Sequence, residues 1–524
     1  DWGHIEPILT NAMYRVPELE KIGVKKLLNG PESFTPDDNF LLGESPELRG
    51  FYLGCGMCSV GIACGGGAGR ALAEWVIEGE PSMDLWPVDI RRFAKVQNSI
   101  RTLRERSPET LSLHYAVSFP GRQYKTARNL RLSPLHSRLE KAGAVFSAQM
   151  GWERPWWFNP EGISTHPELS FEKPGWFFLH AQEHEAVRKN VALIDQSTFG
   201  KLIVQGTDAE KFLQRVCAND ISLAHVKVVY TPLLNNHGGY ESDLTIMGLD
   251  EDRFLLITGT GQPVRDYNWI CSKIKPEEFV SVTDVTGDYA VISVAGPNSR
   301  KLLNLASPDN FSNEEFSYFT HRNVEIGPAI VRAARLSYTG ELGWELYVPN
   351  ESAIPVFDTL NEYGSDLGLK LAGMEALRSL RIEKGFRAWG HEIGPYDTPF
   401  EAGMGFSVKL NKKVSFLGKE ALVKQKKMGI NRYLVMLTAK DSEAHAHGGE
   451  PIWLNDKLAG HTTSGTFGHS VGCTVMMGYI NCLDTKLEKT LSNGNFEVEI
   501  ACRRFPAQAS LEAPYDPKGV VLEK

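Results

Sequence analysis

Tyr230–Asp243, YTPLLNNHGGYESD, runs on into LTIMGLDEDRFLLITGTG at residues 244–261. The pattern is a strand, a turn over 235–239, and a second strand through Leu244 and Ile246. Paired glycines after Asn-Asn-His mark a hairpin, because glycine tolerates positive φ where the chain reverses. Asp243 then stands where a turn delivers a strand, a position from which a carboxylate can enter a cleft. The plain alternative is an acid that caps the turn or meets water. The residues downstream decide between them.

Downstream is ARLSYTGELGWELYVPN, residues 334–350. Leu336 and Tyr338, then Trp344, Leu346 and Val348, give two strands hinged over 340–343. Glu345 sits between large apolar residues, where an unpaired carboxylate is costly. Three accounts stay open for it: a buried Arg, water at a sheet edge, or the N–H groups of a ligand. In GMEALRSLRIEKGFRAWGHEI the spacing predicts a helix over 376–384 with Leu377 and Leu380 on its inner face. Arg381 is one position from that face and either turns inward or meets solvent; Trp389 follows in a loop.

Upstream, from Phe171, the chain reads helix, strand (200–204), helix (209–216), with Asp208 as the cap of that second helix. Strands alternating with helices and antiparallel hairpins give an α+β class. Beyond Asn431 the pattern becomes short strands with turn signals, RYLVMLTAK, EPIWLNDKLAGHTTSGTF, CTVMMGYI and FEVEIACRRFPAQASL, which suit a small barrel. HAHGG at 445–449 marks no third metal ligand and reads as a loop.

The N-terminal part carries FYLGCGMCSVGIACGGGAGRALAEWVIEGEP. A strand is expected over 51–53, a tight turn at Gly65, Gly66, Gly67 and Gly69, and a helix over 68–79. Such a turn either offers backbone N–H groups to an anionic group or lets the helix pack closely on its sheet. It is not the dinucleotide fingerprint, which no stretch of the chain supplies. Cys55 and Cys58 lack a second pair for zinc and read as small buried thiols. Residues 84–165 read as a connector, whose Trp152, Trp156 and Trp157 suit packing at a domain junction.

The whole chain of 524 residues is too long for one core. Net charge is −8 with no long Lys/Arg run, which argues against nucleic acid as a partner. No apolar run is long enough to suggest a membrane span. Eight Cys do not make a disulfide scaffold and fit a reducing compartment. The chain opens at Asp1, not Met, and reads as processed or partial.

From Phe171 onward, HGGYESDLTI, SYTGELGWEL, LRIEKGFRAWGHEI and GHTTSGTFGHSVGCTVMMGYI resemble the aminomethyltransferase (glycine-cleavage T-protein) fold in the right order. GPESFTPD, GESPELRGFYLGCG and GGGAGRALAEW resemble the end of an amine-oxidising flavoprotein domain. Together they resemble the sarcosine and dimethylglycine dehydrogenase family, which includes the paralogous regulatory subunit of pyruvate dehydrogenase phosphatase. The resemblance implies four parts: 1–83 from the FAD-dependent domain, 84–165 a connector, 166–425 a folate-binding domain and 426–524 a barrel. It implies tetrahydrofolate and FAD as cofactors, an N-methylglycine as substrate, a mitochondrial matrix location, and electron-transfer flavoprotein or a phosphatase catalytic subunit as partner. By matching motif, Asp243 takes the place of the aspartate at the reactive folate nitrogens, and Glu345 that of the glutamate on the pterin. Tyr230, Tyr338, Arg381 and Trp389 fall on pocket-lining positions, Trp389 where a Tyr is common. The family's double Asp is here Ser242-Asp243. Gly65, Gly66 and Gly67 fall beside the flavin ring. The family's dinucleotide-binding half, with its flavin-linking histidine, has no counterpart in these residues, so the oxidase site is expected to be incomplete here.

Overall fold

The computed structural model describes residues 2–163, 170–482 and 487–523. The expected boundary between 165 and 166 therefore lies outside the described residues. The class is α+β, as expected, and its centre is a pair of sheets packed face to face.

The first sheet has five antiparallel strands in the order Ser281–Asp284, Gly200–Gln205, Arg253–Thr258, Tyr240–Asp250, Val229–Leu234. The second has six, His321–Ile326, Ala329–Ala334, Gly343–Pro349, Tyr289–Ala295, Val191–Asp195 and Leu369–Leu371, with only the last pair parallel. Helices Ala209–Val216 and Pro263–Ser272 cover the outer face of the first through Phe212, Leu213, Trp269 and Ile270. Helices Ser299–Ala306 and Ala353–Gly364 cover the outer face of the second around Trp344, Leu346 and Val348. Met247, Leu255 and Ile257 of the first sheet meet Val291, Ala334 and Tyr347 of the second in the layer between them. The order is helix, sheet, sheet, helix.

The hairpin forms where the sequence places it. Asn235 folds its side chain over the turn, Oδ1 accepting from His237 N at 3.0 Å and Gly239 N at 2.9 Å. Gly238 has φ +83°, and a Cβ on Gly239 would lie 1.9 Å from Pro395 O, so neither position takes a side chain without strain. Glu241 is an extra residue between the pairs Leu233↔Ser242 and Leu234↔Tyr240, a bulge that re-aims the rest of the strand. Leu244 and Ile246 then face the helix layer, and Asp243, Thr245 and Met247 face the second sheet.

Glu345 is oriented by its neighbours. Trp344, Leu346 and Val348 are all fully buried on the outer face. Each such burial is worth about 1.5–3 kcal/mol, so a one-residue slip would forfeit more than the carboxylate costs, and Glu345 is held on the inner face.

Beyond residue 431 six strands close into a barrel in the order Arg432–Ala439, Cys473–Asn481, Lys457–Gly468, Pro451–Leu454, Phe496–Ile500, Arg503–Ser510. At the other end, a two-stranded sheet of Leu41–Glu44 and Tyr52–Cys55 packs on helix Gly61–Glu78 through Leu42, Ala68, Ala71 and Trp75. Trp156, Trp157 and Trp176 cluster between connector and core, Trp157 and Trp176 stacked at 4.3 Å.

Four expectations need correction. The glycines at 65–67 and 69 do not make a turn: the helix starts at Gly61, four residues earlier, because Ala68, Ala71 and Trp75 secure it against Leu42. Leu336 and Tyr338 are not in a strand, which ends at Ala334; they begin a loop that returns at Gly343. Asp208 does not cap its helix, its Oδ2 accepting instead from Phe279 N. Cys55 is exposed, and only Cys58 of the pair is buried.

Candidate functional site

The layer between the sheets takes one acid from each wall: by strand alternation Asp243 of the first sheet and Glu345 of the second both point into it. From the first sheet comes Asp243. Its Oδ2 accepts from the Tyr230 hydroxyl at 3.2 Å, and burial pushes its carboxyl up to about 6. Tyr230 stands one register step away, paired with Thr245, on the same face. Burial raises the phenols of Tyr230, Tyr240 and Tyr338, and the Asp243 charge adds to the rise in each, so these groups share one electrostatic neighbourhood.

From the second sheet comes Glu345, 4% exposed, paired with Ser293 on one side and Ala334 on the other. Burial pushes it up to about 7, while one oxygen, Oε2, accepts from the Tyr347 hydroxyl at 2.7 Å and holds it down. Oε1 has no hydrogen-bond partner among the described residues. Of the three accounts left open for Glu345, the buried Arg does not hold: its partner is a tyrosine. Tyr347 was not among the expected residues, although it lies two positions on in the same strand, where alternation puts it on the same face.

Tyr338 projects from the loop before Glu345. Its hydroxyl donates to Arg387 O at 2.7 Å and its ring stacks on Phe386 at 5.9 Å. Arg381 does turn inward, but its guanidinium is engaged by the protein: Nη1 donates to Glu392 Oε2 at 2.7 Å and Phe386 O at 3.0 Å, and Nη2 to Ser464 Oγ at 3.0 Å. It thus ties helix Met374–Glu383 to the barrel. Trp389 packs edge-on against Trp86 at 5.2 Å, under the Arg265 guanidinium at 4.5 Å. That contact joins the N-terminal segment to the back of the hairpin, where Arg265 Nη2 donates to Glu241 Oε2 at 2.6 Å.

Behind Asp243, Ser242 faces the other way and donates to Asp266 Oδ2 at 2.8 Å. Asp266 is buried and pushed up to about 7 by that burial. No signal in the sequence marked it, since its partners are 8 and 24 residues away.

From Tyr230 a cavity of about 770 Å³ opens outward. Phe319, Phe406, Lys227, Lys409 and Lys426 line it, Phe406 stacking on Tyr230 at 6.4 Å. Lys412 and Asp220 also line it, whereas Asp243 and Glu345 do not.

Gly65, Gly66 and Gly67 lie inside a helix, so their amides are not the free donors of its N-terminus. Those donors precede Cys64, whose N–H already bonds Val60 O at 2.9 Å. A Cβ on any of the three would meet no atom within 4 Å. These residues are exposed on the helix and form no nucleotide cradle among the described residues.

Comparison with known proteins agrees with this architecture. The description "GCVT N-terminal domain" matches residues 135–412, "FAD dependent oxidoreductase central domain" residues 78–133, and "Glycine cleavage T-protein C-terminal barrel domain" residues 432–516. The chain is 40% identical to 4-methylaminobutanoate oxidase (formaldehyde-forming) of Paenarthrobacter nicotinovorans, over 99% of this chain and 62% of that protein. It is 38% identical to the mitochondrial sarcosine dehydrogenase of Mus musculus, over 99% of this chain and 61% of that one. The chain thus spans about three-fifths of the length of these relatives. Among solved structures, the glycine cleavage system aminomethyltransferase T of Bartonella henselae superposes with a TM-score of 0.61 at 24% identity, covering 73% of this chain and 97% of that one, a likeness of fold.

Proposed function

The chain belongs to the family of sarcosine and dimethylglycine dehydrogenases that carry an aminomethyltransferase-like domain, and from that premise we propose that it receives the one-carbon unit of an N-methyl amino acid onto tetrahydrofolate. The N-methylglycine sarcosine is the substrate the motifs favour. The observation that carries the reading is the pair of acids that the two sheets turn into one layer, Asp243 half-buried and Glu345 buried, with carboxyls raised to about 6 and about 7 beside tyrosines.

Bound tetrahydrofolate would supply the nucleophilic nitrogens that take up the one-carbon unit. Glu345 offers a free carboxylate oxygen to the N–H donors of the pterin edge, a charge-assisted contact. Tyr347 fixes the carboxylate plane through the other oxygen. Asp243, close to its own titration point at neutral pH, removes the proton from the folate amine as the carbon is captured. Tyr230 holds Asp243 in place. Lys227, Lys409 and Lys426, which line the cavity that Tyr230 borders, suit the carboxylates of the folate tail.

Oxidation of the amine belongs in this reading to the flavin-binding part of the whole protein, with electron-transfer flavoprotein as acceptor. The mitochondrial matrix is the compartment proposed, after the mouse relative. No helix among the described residues is long and apolar enough to cross a membrane.

The test is calorimetric titration of the chain with a reduced folate. One-to-one binding is expected, weakened by Glu345→Ala. A chain that binds no folate but captures a phosphatase catalytic subunit would replace this reading with that of a regulatory subunit.

A further inference from the structure

The loop of residues 337–342, which carries Tyr338 and leads directly to Glu345, is fastened from outside by the C-terminal segment. The Tyr515 hydroxyl donates to Glu341 Oε1 at 2.5 Å. Arg188 Nη1 donates to the same oxygen at 3.0 Å and to Thr339 O at 2.9 Å, while its guanidinium lies 3.7 Å above the Tyr515 ring. Lys384 Nζ donates to Asp516 Oδ2 and to Asp516 O, both at 2.6 Å, and Tyr515 N donates to Glu383 O at 3.2 Å. Gly340 lies on the Lys384 side chain so closely that a Cβ would come within 2.8 Å of it. The side chains of Arg188, Glu341, Lys384 and Asp516 are 7%, 1%, 5% and 12% exposed, and Tyr515 is half-buried. Buried charge-assisted bonds of this kind hold geometry far more firmly than surface pairs do. In sequence Tyr515 lies 174 residues from Glu341 of the loop.

We propose that Tyr515 and Asp516 are positioning residues: they strap the 337–342 loop so that Tyr338 and Glu345 meet folate in register. The inference rests on the folate reading, and deepens it by making affinity depend on a segment that never touches the ligand. The strap acts on one loop, so its loss changes folate binding and leaves the barrel as it was.

The experiment compares the wild-type chain with Tyr515→Phe, Asp516→Asn and Asp516→Glu. The measurements are calorimetric titration with 5-formyltetrahydrofolate and amide hydrogen exchange of residues 337–342. Tyr515→Phe removes one hydroxyl and keeps the ring under Arg188, so the fold persists. Each of the first two variants is expected to weaken folate binding about tenfold, the effect of losing a bond to a charged group. Exchange in the loop should accelerate by a similar factor, with no change across the barrel strands. Asp516→Glu keeps the charge and should restore affinity to within about twofold of wild type. A general loss of stability would lower the melting temperature without this pattern. Unchanged affinity in both variants, with or without faster exchange, overturns the proposal while leaving the folate reading intact. A wild-type chain that binds no folate overturns the folate reading itself.

Discussion

Glu345 makes folate binding depend on pH in a direction that the structure fixes. Its carboxyl sits at about 7 in the free chain, because burial outweighs the Tyr347 bond. Only the charged form can accept from the pterin donors, so the apparent dissociation constant scales as one plus the ratio of protonated to charged Glu345. With a pKa of about 7 that factor is roughly 11 at about pH 6, roughly 2 at about pH 7 and close to 1 at about pH 8. Affinity should therefore rise about tenfold between about pH 6 and about pH 8. Calorimetry in two buffers of different ionisation enthalpy provides a second reading: about half a proton should be released on binding near neutrality. Glu345→Gln should flatten the profile and abolish the proton release. The same shift appears in stability. The folded chain keeps a proton that the unfolded chain has lost between about pH 4.5 and about pH 7, so Glu345 costs about 3 kcal/mol above that window and nothing below it. Glu345→Gln should accordingly be more stable than wild type at about pH 8 by up to about 3 kcal/mol, and equal to it at about pH 4. A flat wild-type profile, or an unchanged slope in the Gln variant, would refute the assignment of Glu345 to the pterin edge.

Other perturbations separate the remaining roles. Asp243→Asn should leave reduced-folate affinity within about threefold of wild type and lower the rate of methylene-folate formation about 100-fold or more, the usual worth of a general base; an unchanged rate removes Asp243 from the chemistry. Arg381→Met strands Glu392, which is fully buried, and should cost about 3–5 kcal/mol in urea unfolding; a cost under about 1 kcal/mol would contradict the clamp between helix and barrel. Gly65→Ala meets open space in a helix and should add about 1 kcal/mol, seen as a higher melting temperature; destabilisation would mean that another surface covers that face.

The features legible in the sequence came from short-range physics. The hairpin was legible because Asn235 and the two glycines satisfy a turn locally, and Asp243 comes after it at fixed spacing. Glu345 was legible as a carboxylate out of place in an apolar strand, and the same alternation places Tyr347 beside it. The errors arose where distant packing overrode local preference. Four glycines near residue 65 read as a turn, yet the burial of Ala68, Ala71 and Trp75 extends the helix through them. The Leu336/Tyr338 alternation read as a strand, but the Tyr338 hydroxyl is drawn to Arg387 O, 49 residues on, and the segment loops instead. The partners of Arg381 include Ser464, 83 residues away, so no window of sequence could show that its guanidinium is engaged by the protein. Asp266 was hidden for the same reason.

The most direct test of the two-acid site is a crystal structure of the chain with a reduced folate. The expected result is a pterin between the two sheets, its N–H edge on Glu345 Oε1 and its reactive nitrogens beside Asp243, with the tail running past Tyr230 toward Lys227 and Lys409. Folate bound elsewhere on the molecule, or a layer between the sheets that stays closed at saturating folate, would contradict it.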